Sequence, residues 1–392
     1  MFSSRIPRDL ALNRLASSIS AHRASGRPLI DLTVTNPTAV GIHYDADLLA
    51  SLSSAAALTY SPEPFGMRAA RHAVVAGYAA RGISVAADRI VLTASTSEAY
   101  SVLFKLLCAP EGDDVLVPQP SYPLFDHLTR LDGVSCHPYF LEYHGRWVVD
   151  ERSVENAWTT RTRAILAVTP NNPTGSSLSA AELSELSRRC ADRHAALILD
   201  EVFADYMFDE ASDAGGRFPN GDQASAALTF RLGGLSKSAG LPQVKLGWIA
   251  IDGPGELISE ALARLELICD TYLSVSTPVQ VAAPALIQRG ASIRRQIRER
   301  VRANFAFLRH ITAAEPSVEL LNADGGWSAV IRVPTRCSEE ELVIALLDGR
   351  DTLVHPGFFF DFAHESFLVF SLLPSPESFA EGAQRVLEHV RG

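Results

Sequence analysis

Apolar positions along the chain fall into short runs separated by stretches of helical period. The run "RIVLTA" (89–94) predicts a buried strand, and "SEAYSVLFKLLC" (97–108) predicts the helix after it, capped at or beside Ser97. Further apolar runs predict strands over 114–118, 164–168, 196–200, 228–232 and 247–251. Residues 179–194 read as a helix, with Ser179 as its cap and Glu182 three residues later, the spacing of a capping box. Strands that alternate with helices predict an α/β fold built on a mostly parallel, doubly wound sheet. Ligands of such sheets bind at the carboxyl ends of the strands. The C-terminal part reads differently. One long amphipathic helix (293–311) precedes strand-like segments at 326–333, 352–357 and 367–373 with a helix at each end of the group, which predicts a smaller α+β domain. A helix over roughly residues 9–25 is expected to pack with it. At 392 residues the chain exceeds one compact core. The expected division is an arm and helix over 1–35, a large domain over 36–280 and a small one over 281–392.

Charge and composition narrow the function. A formal net charge of −10 counts against a nucleic-acid partner, which wants a basic face, but leaves room for a small anion held by local charge. Five dispersed cysteines without a CxxC pair read as reduced, buried thiols of a cytoplasmic protein. No apolar run approaches the roughly 18 residues of a membrane span, and the N-terminus lacks the apolar core of a signal peptide. The eleven histidines include no HExxH or HxH pair, so no metal site is expected.

Polar residues at predicted strand ends are where chemistry is expected. "TASTSEA" (93–99) sets Ser95, Thr96 and Ser97 between a strand and a helix. Free amides and hydroxyls at a helix N-terminus make an anion site, or only an N-cap. "TPNNPTG" (169–175) follows another strand and reads equally as a Pro/Gly turn. "ILDEVF" (198–203) ends an apolar strand on Asp200, a carboxylate that is costly there unless paired. "GGLSKSAGLPQVKLGW" (233–248) carries Lys237 among small and apolar residues. Ser236 stands directly before it, where a Walker loop needs glycine.

Together and in this order, the NNPTG, DEVF and SK…KLGW segments resemble the class I/II pyridoxal-phosphate (PLP) aminotransferases of the aspartate aminotransferase fold type. The resemblance runs from about "YSPEPFGMRAAR" to "FSLLPSPESF". It implies PLP fold type I and residues 36–280 as the PLP-binding part. Lys237 is implied as the lysine that forms the Schiff base, and Asp200 as the partner of the cofactor's ring nitrogen. Asn172 would bond the ring's O3′, and Tyr122 would stack on the ring. Ser95, Thr96, Ser97 and Ser236 would cradle the phosphate. Tyr60 would reach the phosphate of a neighbouring subunit, which implies a homodimer. A lysine against an apolar wall and a cationic partner has a depressed pKa, which suits a nucleophile that later carries a proton.

Three positions depart from the family pattern. Phe203 stands where a tyrosine usually donates to O3′, with Tyr206 three residues further on. Lys245 replaces the phosphate-binding arginine, keeping the charge and losing the bidentate fork. Val369 stands where an arginine usually reads the substrate's α-carboxylate. The replacement candidates are Arg5, Arg14 and Arg332, and Trp327 is a candidate wall of the substrate side. The expected activity is transfer of an amino group from an amine or amino acid to a 2-oxo acid. The alternatives are another fold type I reaction (C–S lyase, decarboxylase or cyclase) or a transaminase for amines without an α-carboxylate.

Overall fold

The computed structural model of the chain describes residues 2–7, 10–209, 225–364 and 366–391. The N-terminal part holds α1 (Arg14–Ala24), β1 (Ile30–Asp31) and α2 (Arg68–Ala79). A strand–helix alternation follows: β2 (Ile90–Thr93), α3 (Thr96–Leu107), β3 (Asp114–Gln119), α4 (Leu124–Asp132), β4 (Ser135–Tyr143), β5 (Trp147–Val149), α5 (Glu151–Ala157), β6 (Thr162–Val168), α6 (Ala180–Asp192) and β7 (Ala196–Asp200). Then come β8 (Thr229–Gly234), the short α7 (Leu235–Ser238), β9 (Gly247–Asp252), α8 (Gly255–Tyr272) and α9 (Thr277–Ala313). The chain closes with β10 (Glu319–Leu320), β11 (Ser328–Arg332), α10 (Glu339–Arg350), β12 (Thr352–Leu353), β13 (His355–Pro356), β14 (Phe367–Ser371) and α11 (Pro376–Arg391).

Among the described residues, eight strands form one sheet in the order β2-β9-β8-β7-β6-β3-β4-β5. β9 is antiparallel to both neighbours, and β5 is antiparallel to β4 at the far edge. The other pairings are parallel. β7 is buried at every position, as expected of a central parallel strand covered on both faces. Its run "ALILD" was legible for that reason. The capping box of α6 forms in both directions: the Ser179 hydroxyl accepts from the Glu182 amide, and the Glu182 carboxylate accepts from Ser179. A second, four-stranded antiparallel sheet, β10-β11-β14-β13, belongs to the C-terminal part.

Some elements differ from the sequence expectation. α1 starts at Arg14, with Asn13 as its cap, rather than near residue 9; Asp9 itself lies outside the described residues. α9 starts at Thr277, sixteen residues before the predicted Ile293, and runs through Pro284 and Gly290. Gly290 is required by packing, since a Cβ there would lie 2.5 Å from the Ala239 Cβ. α9 is thereby pressed onto the segment that follows Lys237. The cysteines are all unpaired, but Cys337 is exposed and Cys136 only half-buried, so the expectation of buried thiols holds for Cys108, Cys190 and Cys269. Among the described residues no helix is long and apolar enough to cross a membrane.

Candidate active site

The parallel strands deliver their following turns to one end of the sheet. β9 runs between β2 and β8 with Thr93 opposite Gly247 and Gly247 opposite Gly234. The turn after β2 and the turn after β8 therefore rise side by side, with only a glycine of β9 between them. A Cβ on Gly247 would sit 2.9 Å from the Ser95 backbone, so this close approach requires the glycine. Ser95 caps α3, its hydroxyl accepting from the Glu98 amide at 3.1 Å. The first-turn amides of Thr96 and Ser97 have no partner within the helix and are available to an anion. Ser236 stands on the adjacent turn. It shares with Lys237 and Lys245 a cavity of about 550 Å³, lined on its other side by Thr35, Asn36 and Thr38.

Lys237 lies on α7, directly after β8. Its Nζ sits 4.8 Å from the centre of the Trp327 ring and 5.6 Å from that of Phe203. Burial lowers its pKa from the usual 10.5 to about 8, while the negative charge of Asp200 pulls the other way. The depression comes from the apolar wall, and no cation contributes to it, unlike the cationic partner expected from the sequence. Asp200 ends β7 and is buried. Burial raises its carboxyl to about 6 against two opposing donors: the Val202 amide on Oδ1 at 3.1 Å and the Tyr100 hydroxyl on Oδ2 at 2.9 Å.

The walls are built by loops that lock into one another. Gly175, at φ +67°, accepts at its carbonyl from the amides of Asp324 and Gly325, while Gly326 donates to the Tyr206 carbonyl. A Cβ on Gly175 would lie 2.6 Å from the Gly325 oxygen, so the two loops meet only as glycines. This sets Trp327 edge-on against both Phe203 and Tyr206. The Ser328 hydroxyl donates to Asn172 Oδ1 at 3.2 Å, which leaves the Asn172 amide group as a donor. Tyr122 follows β3 and is exposed. The Tyr206 hydroxyl donates to the Lys237 carbonyl, so it is committed to the backbone.

The arginine candidates stand elsewhere. Arg332 pairs with Glu319 at 2.9 Å between the rings of Tyr143 and Phe367, at the end of β11 away from Ser328. Arg5 donates to the Leu131 carbonyl beside Gly133, which precedes β4 and so lies at the opposite end of the sheet. Arg14 is exposed and lies 3.9 Å from Glu340. Val369 is buried among Trp147, Leu321, Val330 and Phe360. Its cross-strand neighbour is His355, whose imidazole burial lowers to about 4, so no cation arises there at neutral pH. Tyr60 is exposed beside Leu273 and Thr277 at the junction of α8 and α9.

Sequence reasoning did not single out Tyr100, Ser328 or the arginines of α9. Arg294 donates to the Ser238 carbonyl at 2.8 Å, Arg298 to that of Asp205 at 3.0 Å and Arg302 to that of Met207. Their i, i+4, i+8 spacing was visible, but it reads as a solvated face.

Over its full length the chain superposes on solved aminotransferases. Alanine aminotransferase from Pyrococcus furiosus gives a TM-score of 0.85 at 23% identity, with both chains covered completely. A single mutant of Thermus thermophilus aspartate aminotransferase gives 0.83 at 22% identity, with 99% of each chain covered. The fold is that of the type I pyridoxal-phosphate enzymes. The family profile described as Aminotransferase class I and II matches residues 46–386, so the chain belongs to that family and is a pyridoxal-phosphate-dependent aminotransferase. Among curated relatives, alanine aminotransferase of Mycobacterium tuberculosis (strain H37Rv) is 27% identical over 378 residues, 93% of this chain and 86% of that one. Glutamate-pyruvate aminotransferase AlaA of Escherichia coli (strain K12) is 27% identical over 264 residues, 66% of this chain and 63% of that protein.

The residues present fit the cofactor. A lysine amine with a pKa near 8, a buried carboxylate, a free amide donor on Asn172 and an anion-accepting helix start stand at one end of one sheet.

Proposed function

We propose that the chain transfers an amino group from a small amino acid to a 2-oxo acid through Lys237, working as a homodimer in the cytoplasm. The observation that carries this reading is the Lys237 amine, held against Trp327 and Phe203 with its pKa brought to about 8 and Asp200 opposite. Bound pyridoxal phosphate supplies an aldehyde for the substrate's amine and a ring that withdraws electrons from the carbon bearing it. Asp200 would keep the proton on the ring nitrogen. Thr96, Ser97, Ser95, Ser236 and Lys245 would hold the phosphate, with Lys245 as a point charge. Asn172 would donate to the ring's O3′, and Tyr122 would stack on the ring. Phe203 and Trp327 exclude water from the amine. Lys237, neutral in a substantial fraction near pH 8, would take the proton from the substrate's α-carbon and pass it to the cofactor carbon that carried the aldehyde. Tyr60 is exposed beside Leu273 and Thr277, which suits the phosphate of a second subunit. The relatives named for alanine and for glutamate and pyruvate support a small substrate.

Borohydride reduction of the loaded enzyme, followed by peptide mapping, tests the reading. The label is expected on Lys237, and Lys237→Ala is expected to lose turnover; label on Lys245 or Lys105 overturns it. A second reading, in which the substrate is an amine without an α-carboxylate, is favoured by one observation: Val369 lies in an apolar cluster and His355 beside it is neutral. Paired amino-acid and simple-amine donors separate the two. Turnover of the simple amine alone establishes the second.

A further inference from the structure

We propose that Tyr100 is a positioning residue for Asp200: its hydroxyl fixes the carboxylate and keeps it ionised, so that the proton it shares with the cofactor stays on the ring nitrogen. The proposal rests on the reading of Asp200 as the ring-nitrogen partner.

Tyr100 stands one turn into α3, four residues after Thr96 and on the same helix face. Its side chain is fully buried. The ring stacks on Phe104 at 6.1 Å and meets Phe125 edge-on at 5.3 Å, which leaves the hydroxyl one direction, toward Asp200 Oδ2 at 2.9 Å. The Val202 amide holds Oδ1. The carboxylate is thus gripped at both oxygens before any cofactor arrives. A hydroxyl facing an anion must donate, and burial keeps this phenol protonated far beyond the usual range. The other charged groups near Asp200 are Glu201, which raises its proton affinity, and Lys237, which lowers it. Glu201 is itself paired with Arg231.

Burial alone drives Asp200 toward its neutral form, and the two donors oppose that. Without the hydroxyl, the carboxylate becomes more basic and competes better for the proton between it and the ring nitrogen. The ring then loses part of its electron-withdrawing charge. One helix would accordingly serve both ends of the cofactor, its first turn taking the phosphate and Tyr100, one turn later, holding the partner of the ring nitrogen.

The test uses holoenzyme loaded with pyridoxal phosphate labelled with ¹⁵N in the ring. Tyr100→Phe keeps the ring contacts and removes only the hydroxyl. The ¹⁵N resonance is expected to move from the protonated toward the neutral pyridine position, and kcat to fall about tenfold or more with KM unchanged. Phe104→Leu disturbs the packing around the Tyr100 ring and leaves the hydroxyl in place; the resonance is expected to stay where it is. An unmoved resonance in Tyr100→Phe, with a shift in Asp200→Asn, overturns the role of Tyr100 and leaves Asp200 as the partner. No shift in Asp200→Asn either means that the Asp200 reading has failed as well.

Discussion

Burial shifts the proton affinities of Lys237 and Asp200 in opposite directions, lowering that of the amine and raising that of the carboxylate. For Asp200 the sign gives a stability prediction. Its folded carboxyl titrates at about 6 against an ordinary 3.8, so over that range the folded state holds more protons than the unfolded one. The stabilisation is present below pH 3.8 and is lost as pH rises through 6. In cofactor-free protein, urea unfolding is expected to show the parent losing on the order of 2–3 kcal/mol between pH 4 and 7 relative to Asp200→Asn. Parallel curves for the two proteins count against the raised pKa. Asp200 and Lys237 stand out in the sequence because a charge at the end of an apolar strand, or inside a small-residue loop, violates local preference. Tyr100 was not. In "SEAYSVLFKLLC" an aromatic at core spacing breaks no rule, and its partner lies a hundred residues away.

Helix α9 decides where the lysine loop rests. Gly290 presses on Ala239, Arg294 holds the Ser238 carbonyl, and the Tyr44 hydroxyl donates to the Gly240 carbonyl at 2.7 Å. Gly290→Ala adds a methyl 2.5 Å from another methyl on a packed backbone. It is expected to cost about 1–3 kcal/mol through overpacking and to weaken cofactor retention by moving the loop, both read from denaturation and from equilibrium dialysis of the cofactor. Unchanged stability and retention would show that the helix yields without disturbing the loop. The second half of α9 was legible from its period. The first half, "TPVQVAAPALIQRGAS", was not: Pro284 and Gly290 both read as breakers, and only the fold shows that the proline is tolerated and the glycine required. Most strands were found to within a residue or two because their apolar runs are buried on both faces. β4 was missed, since its mixed sequence carries no such run and, apart from the buried Tyr139, its positions are exposed or half-buried.

At the scale of the molecule, Leu58, Tyr60, Leu267 and Tyr272 are each more than half exposed, and Tyr60 borders Leu273 at the end of α8. These residues suit a second copy of the chain. Sedimentation is expected to give a dimer, and Tyr60→Phe to leave the dimer intact while raising the cofactor's dissociation constant several-fold. A monomer that holds the cofactor with full affinity is the contrary result. The length of α9 has a consequence for recombination. At about 55 Å it is one continuous rod, touching the lysine loop through Gly290 and Arg294 and, through Asn304, the carbonyls of Leu372 and Pro374 after β14. A chimera joined at residue 281 would cut this rod between its cap and Gly290, so the incoming segment would bring a foreign surface against the native Ala239. The C-terminal part of this protein is therefore not an exchangeable module. A shuffled enzyme keeps its lysine in place only when α9 and the segment 233–248 come from the same parent.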